Sequence, residues 1–261
     1  MSDESNSVNP QGKLAGKAAI VTGAGQGVGQ GIAFALANEG AKVALLGRTL
    51  EKVEASAAAI RDRGGEAIAL QCDVKESISL SDCVARVVHE FGGIQILVNN
   101  AQEVPLGRLL EVSDEDFANC LNSGPMATYR LMKMCYPFLK GDGCIINLAT
   151  SAAKRWDKTT FGPYAAAKEA IRSLTHTAAS EWGPDGIRTN VILPLAQSPG
   201  MKWWMENYPE ESNMFLSTVP LRRVGDCQQD VGRFVAMLCS DDAAYVNGQS
   251  IAVDGGQAYL G

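Results

Sequence analysis

Short apolar runs alternate with longer helical patterns along most of the chain. The runs have the length of buried strands, and they lie at 17–22, 41–46, 67–72, 94–99, 144–148 and 188–193. The segments between them have the length of helices, and they lie at 31–38, 50–63, 77–91, 114–139 and 162–182. Strands that are linked by helices form parallel sheets covered on both faces. The pattern therefore predicts an α/β fold with one doubly wound parallel sheet.

The pattern contains no internal repeat and no linker between domains. Residues 1–13 begin with a polar, acidic stretch, and we expect them to form a disordered N-terminal extension. Residues 14–261 then form a single domain, which is an ordinary size for this class. Within it, residues 195–225 have a weak secondary-structure signal but many large apolar side chains.

The composition is that of a soluble globule, since 46% of the 261 residues are hydrophobic and 20% are charged. The net charge of -6 and the pI near 5.1 argue against nucleic acid and anionic membranes, because both require a basic face. No apolar run approaches the ~20 residues of a membrane span, and no signal-peptide pattern opens the chain. We therefore expect a cytoplasmic protein with a small-molecule partner.

The seven cysteines are scattered and include no Cys-x-x-Cys pair. This arrangement indicates reduced, mostly buried thiols rather than disulfides or a zinc site. His89 and His176, the two histidines, lie in predicted helices without a matching acidic or cysteine cluster. We therefore expect no bound metal.

A glycine-rich turn follows the first predicted strand. Its spacing is Gly-x-x-x-Gly-x-Gly, at Gly23, Gly27 and Gly29. Glycines allow a pyrophosphate to approach the backbone, and the N-terminus of the next helix supplies N–H donors and positive potential. The turn therefore predicts a dinucleotide site, in which we also place Gln26 and Val28.

Arg48 stands at the end of the second strand, where an acidic residue would bind the adenosine ribose of NAD. Gly47 leaves space there, and an arginine can pair with a 2′-phosphate. The alternative is a surface arginine at a helix start. We expect NADP(H) as the cofactor, with NAD(H) as the alternative.

Tyr164 and Lys168 are four residues apart in a predicted helix, so their side chains project from the same face. A phenol titrates near ~10 and is a poor acid or base at neutral pH. A neighbouring cation favours the phenolate and lowers the phenol pKa. The pair becomes chemically meaningful only if the fold brings a hydride donor to the same place.

Other candidate residues follow the carboxyl ends of predicted strands, where parallel sheets bind ligands. They are Asp73 and Val74, Asn99 and Ala101, Thr150 and Ser151, and Pro194 and Leu195.

Together these residues resemble the short-chain dehydrogenase/reductase family from about Leu14 to Gly256. The order and spacing of the matching segments carry the resemblance, rather than any one of them. The segments are Thr22-Gly23-x-x-x-Gly27-x-Gly29, Asp73-Val74, Asn99-Asn100-Ala101, Asn122, Ser151, Tyr164-x-x-x-Lys168 and Val246-Asn-Gly-Gln with Val253-Asp-Gly-Gly256. The resemblance implies a Rossmann fold and hydride transfer between a nicotinamide cofactor and a carbonyl or secondary alcohol.

The resemblance also implies roles for four catalytic positions. Tyr164 gives a proton to the carbonyl oxygen, or accepts one in the reverse direction. Lys168 holds the nicotinamide ribose and lowers the pKa of the phenol. Ser151 donates a hydrogen bond to the developing oxyanion, and Asn122 holds a water in a proton relay.

The resemblance further implies contacts to the cofactor. Asp73 and the backbone at Val74 read the adenine, while Asn99 and Ala101 line the side of the adenosine ribose. Pro194 belongs to a segment whose backbone contacts the carboxamide. Tyr164 and Lys168 belong to the cofactor site as well as to the catalytic set.

Three of these assignments have structural alternatives. Asn122 stands beside Gly124-Pro125 and can be a kink residue in its helix. Asp73 can simply cap the turn that follows it. Ser151 competes with Thr150, which aligns better when positions are counted from Asn147.

The chain departs from the family pattern at positions that we assign to the substrate. Gln102 replaces the usual glycine; its amide either narrows the pocket or bonds a polar substrate group, unless it is a tolerated loop residue. Leu195 replaces the usual glycine after Pro194. Trp156 lies between Ser151 and Tyr164, within reach of the substrate mouth.

Residues 195–225 correspond to the substrate lid of the family. Their aromatic content, including Trp203, favours a lid over a bulky, largely apolar carbonyl substrate, with an oligomer contact as the rival interpretation. The family also suggests a homotetramer, or a homodimer.

The leading functional hypothesis is an NADP(H)-dependent ketone reductase or secondary-alcohol dehydrogenase. One alternative is a non-catalytic nucleotide-binding relative, and another is an isomerase or epimerase that retains its nicotinamide. An enoyl reductase is disfavoured, because that branch separates its tyrosine and lysine more widely than Tyr164 and Lys168.

Overall fold

Seven strands form one parallel sheet in the computed structural model, which describes residues 8–154 and 160–258. In chain order they are β1 (Ala18–Thr22), β2 (Lys42–Gly47), β3 (Ala67–Gln71), β4 (Ile96–Asn99), β5 (Gly143–Leu148), β6 (Ile187–Pro194) and β7 (Ser250–Val253). Their order across the sheet is β3-β2-β1-β4-β5-β6-β7. The chain reverses direction across the sheet between β1 and β4, and ligands of such sheets bind at this switch point. The predicted doubly wound parallel sheet is confirmed.

Helices connect the strands and cover both faces of the sheet. They are α1 (Gly27–Asn38), α2 (Leu50–Arg61), α3 (Ser77–Phe91), α4 (Asp114–Leu121), α5 (Ala127–Leu139), α6 (Gly162–Trp182), α7 (Pro199–Asn207), α8 (Pro209–Thr218) and α9 (Arg233–Cys239). Single π turns, Asn122–Met126 and Cys227–Gly232, precede α5 and α9.

The hydrophobic core lies on the two faces of the sheet. Successive strand residues point to opposite faces, so Val21 joins one buried cluster and Ile20 the other. The inner strand β1 is buried along its whole length. This arrangement holds the carboxyl ends of β1 and β4 rigidly side by side.

The structure differs from the predicted elements in the helix expected at 114–139. A π turn interrupts it, and Pro125 lies inside that turn. Proline has no N–H to donate to the preceding helical turn, so regular α-helical bonding cannot continue through it.

Two helices, α7 and α8, lie within residues 195–225, where the sequence has a weak secondary-structure signal and neither helix was predicted. Each helix begins with a proline at its first position, and Ser198 caps α7 by accepting a hydrogen bond from the Met201 N–H. The half-buried edge strand β7 and α9 were likewise not predicted as elements.

The first described residues contact the domain. Asn9 N–H donates to Asn38 O, Leu14 N–H donates to Glu39 O, and Lys13 forms an ion pair with Asp242. Residues 8–13 therefore pack on the domain rather than extending from it, because their backbone donors find partners there. Residues 1–7 of the predicted extension lie outside the described residues.

Among the described residues, none of the helices combines the length and apolarity required to cross a membrane.

Candidate active site

A cavity of about 520 Å³ opens at the carboxyl ends of β1, β2 and β4. Tyr164 borders it on the side of α6. The cofactor residues predicted from the sequence that line it are Gly23, Gln26, Gly27, Val28, Arg48, Asp73, Val74 and Ala101. The fold therefore brings the glycine-rich turn and the tyrosine to one cavity.

Left-handed backbone conformations shape the glycine-rich turn. Gly23 has φ 65° and Gly27 has φ 59°, values that side chains disfavour. Gly29 has a different reason to be glycine, since a β-carbon there would lie 2.4 Å from Gly23 O. Gly29 thus allows α1 to start against the turn, and it does not line the cavity.

Basic side chains gather where β2 ends. Arg48 Nη1 lies 2.6 Å from Glu103 Oε1, and Lys75 Nζ lies 3.2 Å from the same oxygen. Lys52 also lines the cavity, and its Nζ donates to Gln26 Oε1 at 3.0 Å. Two cations, Arg48 and Lys52, therefore flank this end of the cavity.

Asp73 lines the cavity and also caps its turn. Its Oδ1 accepts a hydrogen bond from the Lys75 N–H at 3.0 Å. The capping interpretation is thus true of one carboxylate oxygen, and it does not exclude a ligand contact by the other.

Asn99 does not line the cavity, contrary to its predicted place beside the ribose. Its Nδ2 donates to Asn147 Oδ1 at 2.8 Å inside the sheet. The cavity is lined instead by Asn100, whose Nδ2 donates to Thr22 O at 2.9 Å. Pro194 is also absent from the lining, since it ends β6 in register with Val253.

Tyr164 and Lys168 project from the same face of α6, as predicted. Lys168 Nζ lies 5.4 Å from the centroid of the Tyr164 ring. The lysine is 2% exposed, and its Nζ donates to Leu148 O at 2.6 Å. A carbonyl at the end of β5 therefore fixes the position of the ammonium.

The pKa shifts at this pair differ from the prediction that Lys168 lowers the pKa of the phenol. Burial raises the pKa of Tyr164 to about 12, and a hydrogen bond with Thr150 opposes this shift. Burial also lowers the pKa of Lys168 to about 7. Desolvation dominates because both groups lie among buried elements, and it disfavours the charged form of each.

The two candidate hydroxyls after β5 have different partners. Ser151 Oγ donates to Gln257 Oε1 at 2.8 Å. The Thr150 side chain instead bonds Tyr164. The structure therefore brings the Thr150 hydroxyl to the phenol, while the Ser151 hydroxyl is engaged with Gln257.

Asn122 is the first residue of its π turn. It lies in the π turn with its residue surface exposed, whereas Lys168 is buried. The extra residue in a π turn rotates the following positions around the helix axis, and here Ser123 and Gly124 face inward. The relay role of Asn122 stays a prediction.

The predicted substrate residues have four different outcomes. Gln102 lines the cavity. Leu195 lines a second cavity of about 370 Å³ near β7. Trp203 is 58% exposed and packs edge-on against Tyr208. Trp156 lies outside the described residues.

Comparison with known proteins agrees with this geometry. A family model described as enoyl-(acyl carrier protein) reductase matches residues 23–258. A 12α-hydroxysteroid dehydrogenase from a Clostridium species is 40% identical over 250 residues, which cover 92% of this chain and 96% of that protein. The chain belongs to the short-chain dehydrogenase/reductase family.

Solved structures share the fold over nearly the whole chain. A short-chain dehydrogenase from Burkholderia cenocepacia in complex with NADP is 30% identical, with a TM-score of 0.87 over 94% of this chain and 99% of that one. A single-residue variant of the actinorhodin polyketide ketoreductase, with NADPH, is 27% identical, with a TM-score of 0.87 over 97% of this chain and 100% of that one.

Sequence reasoning missed several residues of this short-chain dehydrogenase site. Ser198 and Pro199 lie against Gly27, with Pro199 Cδ 3.3 Å from the position of a β-carbon there. Lys52, Glu103 and Gln257 were also missed. Lys52 had a signal, because it is a basic residue in the first turn of α2, directly after the end of β2. The others join segments that are distant in the chain.

The described residues include no group of three His, Cys, Asp or Glu side chains that could hold a metal ion. All seven cysteines are free, and six are buried.

Proposed function

We propose that the protein is an NADP(H)-dependent oxidoreductase that interconverts a ketone and a secondary alcohol, with Tyr164 as the proton donor and acceptor. The observation that carries this proposal is the position of Tyr164 at the cavity of the glycine-rich turn, beside the buried Lys168. A nicotinamide bound in this cavity would supply the hydride, and Tyr164 would supply the proton, to the same substrate carbonyl.

The cavity fits a dinucleotide. Glycines with positive φ open the turn, and α1 begins with Gly27 and Val28 in the cavity wall, where a helix N-terminus offers N–H donors to a phosphate. When bound, the nicotinamide supplies the hydride. The chain supplies the proton from Tyr164, and the single hydroxyl proton of Thr150, which bonds the phenol in the free protein, turns to the developing oxyanion when substrate binds.

The preference for NADP(H) over NAD(H) rests on charge. Arg48 and Lys52 flank the end of β2, where a 2′-phosphate would lie. Glu103 faces the same arginine, but it belongs to the opposite wall. Family members with bound NADP and NADPH support this preference.

A bulky, largely apolar substrate agrees with the surroundings of Tyr164. Leu109 packs on Gly162 in the first turn of α6, and it is 78% exposed. Leu106 and Leu110 are exposed on the same loop, and Trp203 and Met214 are exposed on the lid helices α7 and α8. A relative that is named for a hydroxysteroid fits this chemistry.

We also propose a cytoplasmic homo-oligomer, a homotetramer or a homodimer. The support is a set of exposed large apolar side chains on the α4–α5 segment, namely Phe117, Met126, Tyr129 and Phe138. Light scattering coupled to size-exclusion chromatography tests this part, and a monomeric mass would contradict it.

The test is the consumption of NADPH and NADH in parallel with cyclic, aryl and aliphatic ketones and with an α,β-unsaturated thioester. We expect turnover with NADPH on bulky ketones. Turnover of the thioester alone would replace the proposal with an enoyl reductase. Tightly retained cofactor without net turnover would favour the isomerase or the non-catalytic alternative.

A further inference from the structure

A glutamine near the end of the described chain holds the Ser151 hydroxyl. Ser151 Oγ donates to Gln257 Oε1 at 2.8 Å, and the serine is only 3% exposed. A hydroxyl has a single proton to donate. While this bond persists, Ser151 therefore cannot donate to a substrate carbonyl.

Asp254 fixes the backbone on both sides of Gln257. Its Oδ1 accepts from the Gly256 N–H at 3.0 Å, and its Oδ2 accepts from the Ala258 N–H at 2.8 Å. The aspartate is 5% exposed, and hydrogen bonds to a charged group are about twice as strong as neutral ones. Gln257 therefore projects from a well-fixed turn, residues 254–258, which we call the C-terminal turn.

The backbone of the C-terminal turn is also bonded to two neighbouring segments. Leu195, directly after β6, donates its N–H to Val253 O at 3.0 Å. Leu221, shortly after the lid helix α8, donates its N–H to Gly255 O at 3.1 Å. The turn is thus held from the sheet and from the lid, while the Gln257 side chain reaches across to the segment after β5.

Thr150, the residue before Ser151, has a different partner. It bonds the Tyr164 phenol, which borders the cofactor cavity. A hydroxyl bonded to the proton-donating phenol lies near the substrate oxygen on which negative charge develops. The two neighbouring hydroxyls therefore differ in what accepts their protons, which is an anchored amide for Ser151 and the reacting phenol for Thr150.

We propose that Gln257 is a positioning residue, which holds the Ser151 hydroxyl away from the substrate carbonyl and so leaves the role of oxyanion donor to Thr150. Removal of its carboxamide frees the Ser151 proton, and the two hydroxyls then share that role. The kinetic consequences of this inference depend on the proposed function, whereas its geometry does not.

Kinetic tests combine Gln257→Met with Ser151→Ala and with Thr150→Val. In the unmodified protein Ser151→Ala should change kcat by less than about twofold, because the substrate does not receive the Ser151 proton. In Gln257→Met the same change should cost about tenfold, which is one hydrogen bond to a reacting group. The loss from Thr150→Val should shrink to about threefold there, because Ser151 partly replaces it. Losses that are equal in the two backgrounds would overturn the inference.

Two further variants separate the hold on Ser151 from a general effect of the segment. Gln257→Glu keeps an acceptor for the Ser151 proton, so the loss from Ser151→Ala should stay small. The added charge disfavours the oxyanion by itself, so each loss is measured within its own background. Gln249→Met is the matched control, an exposed glutamine whose Nε2 donates to Asn247 O at 2.9 Å. A tenfold Ser151→Ala loss in either variant would overturn the inference.

A crystal structure of the NADPH complex provides a test that is independent of activity. We expect Ser151 Oγ to remain within hydrogen-bond distance of Gln257 Oε1 when the cofactor is bound. A Ser151 hydroxyl that leaves Gln257 in this complex would overturn the inference even in an active enzyme. Conversely, the same bond in a protein without carbonyl turnover would support the hold of Gln257 on Ser151 and contradict only the proposed function.

Discussion

Arg48 and Glu103 form an ion pair of 2.6 Å across one end of the cofactor cavity. The arginine follows β2 and the glutamate follows β4, so the pair joins two walls of the cavity. The carboxylate also lies 3.2 Å from Lys75 Nζ. A 2′-phosphate at this end would compete with Glu103 for Arg48.

Glu103→Gln should tighten NADPH binding about two- to fivefold, which is the range expected for one partly exposed ion pair. The affinity for NADH should stay nearly constant, because NADH has no phosphate to place against Arg48. Fluorescence titration of both cofactors measures the two Kd values. Glu66→Gln breaks a surface pair with Lys42 of 3.2 Å and serves as the control. Equal changes for both cofactors would contradict the competition.

Arg48→Ala should weaken NADPH binding and leave NADH binding nearly unchanged, since it removes a fork of donors from the phosphate position. Arg61→Ala on α2, whose partner is Glu54, is the matched control for loss of a surface arginine. Isothermal titration with each cofactor distinguishes the two results. An equal loss of affinity for NADH would show that Arg48 acts through folding or the overall charge of the cavity rather than through the 2′-phosphate.

Thr150→Val should lower kcat about tenfold, the cost of one hydrogen bond to a reacting group, and more than Ser151→Ala does. The reason is that Thr150 bonds the Tyr164 phenol, whereas the Ser151 hydroxyl is occupied by Gln257. Steady-state kinetics with a saturating ketone compares the variants. A larger loss in Ser151→Ala would return the oxyanion role to Ser151.

Lys168 should make the free energy of unfolding depend on pH. Burial lowers its pKa to about 7 from 10.5, so between these values the unfolded chain binds the additional proton. The contribution of Lys168 to the free energy of unfolding therefore rises with pH between these two pKa values, by about 1.4 kcal/mol per unit of the pKa difference. Below the folded pKa the full cost of the buried charge is present.

Lys168→Met should flatten this rise, and urea unfolding at several pH values between 7 and 9.5 measures it. Tyr164→Phe is the control, because the pKa of Tyr164 is raised to about 12 and affects stability only above this window. Identical slopes in Lys168→Met and the unmodified protein would show that the lysine is not desolvated.

The sequence predicted the sheet and the face of α6 because both depend on local periodicity. The bounds of α3 and α6 agree with the structure to the residue, at 77–91 and 162–182. The pairing of Tyr164 with Lys168 follows from helical spacing alone, so it was also predictable.

The predictions failed where a side chain crosses between distant segments or where helical geometry changes. Gln257 reaches Ser151 from 106 residues away, and Gln102 fills the space at Gly124. The inward orientation of Ser123 and Gly124 was not predicted, because a π turn changes which residues face inward and α-helical periodicity does not contain that change. The pKa shift of Tyr164 differs from the prediction because the spacing of residues in the sequence identifies Lys168 as a neighbour but does not show that the phenol is buried.

We predict that Tyr164 supplies the proton, whereas the glycine-rich turn and Arg48 in the same cavity supply most of the affinity for the cofactor. Tyr164→Phe removes only the hydroxyl and keeps the ring, whose centroid lies 6.1 Å from that of Phe161. The decisive measurement is a single-turnover record of NADPH oxidation with a bulky cyclic ketone, alongside the Kd for NADPH. We predict turnover at least about a hundredfold slower with a nearly unchanged Kd; turnover near that of the unmodified protein would contradict the account.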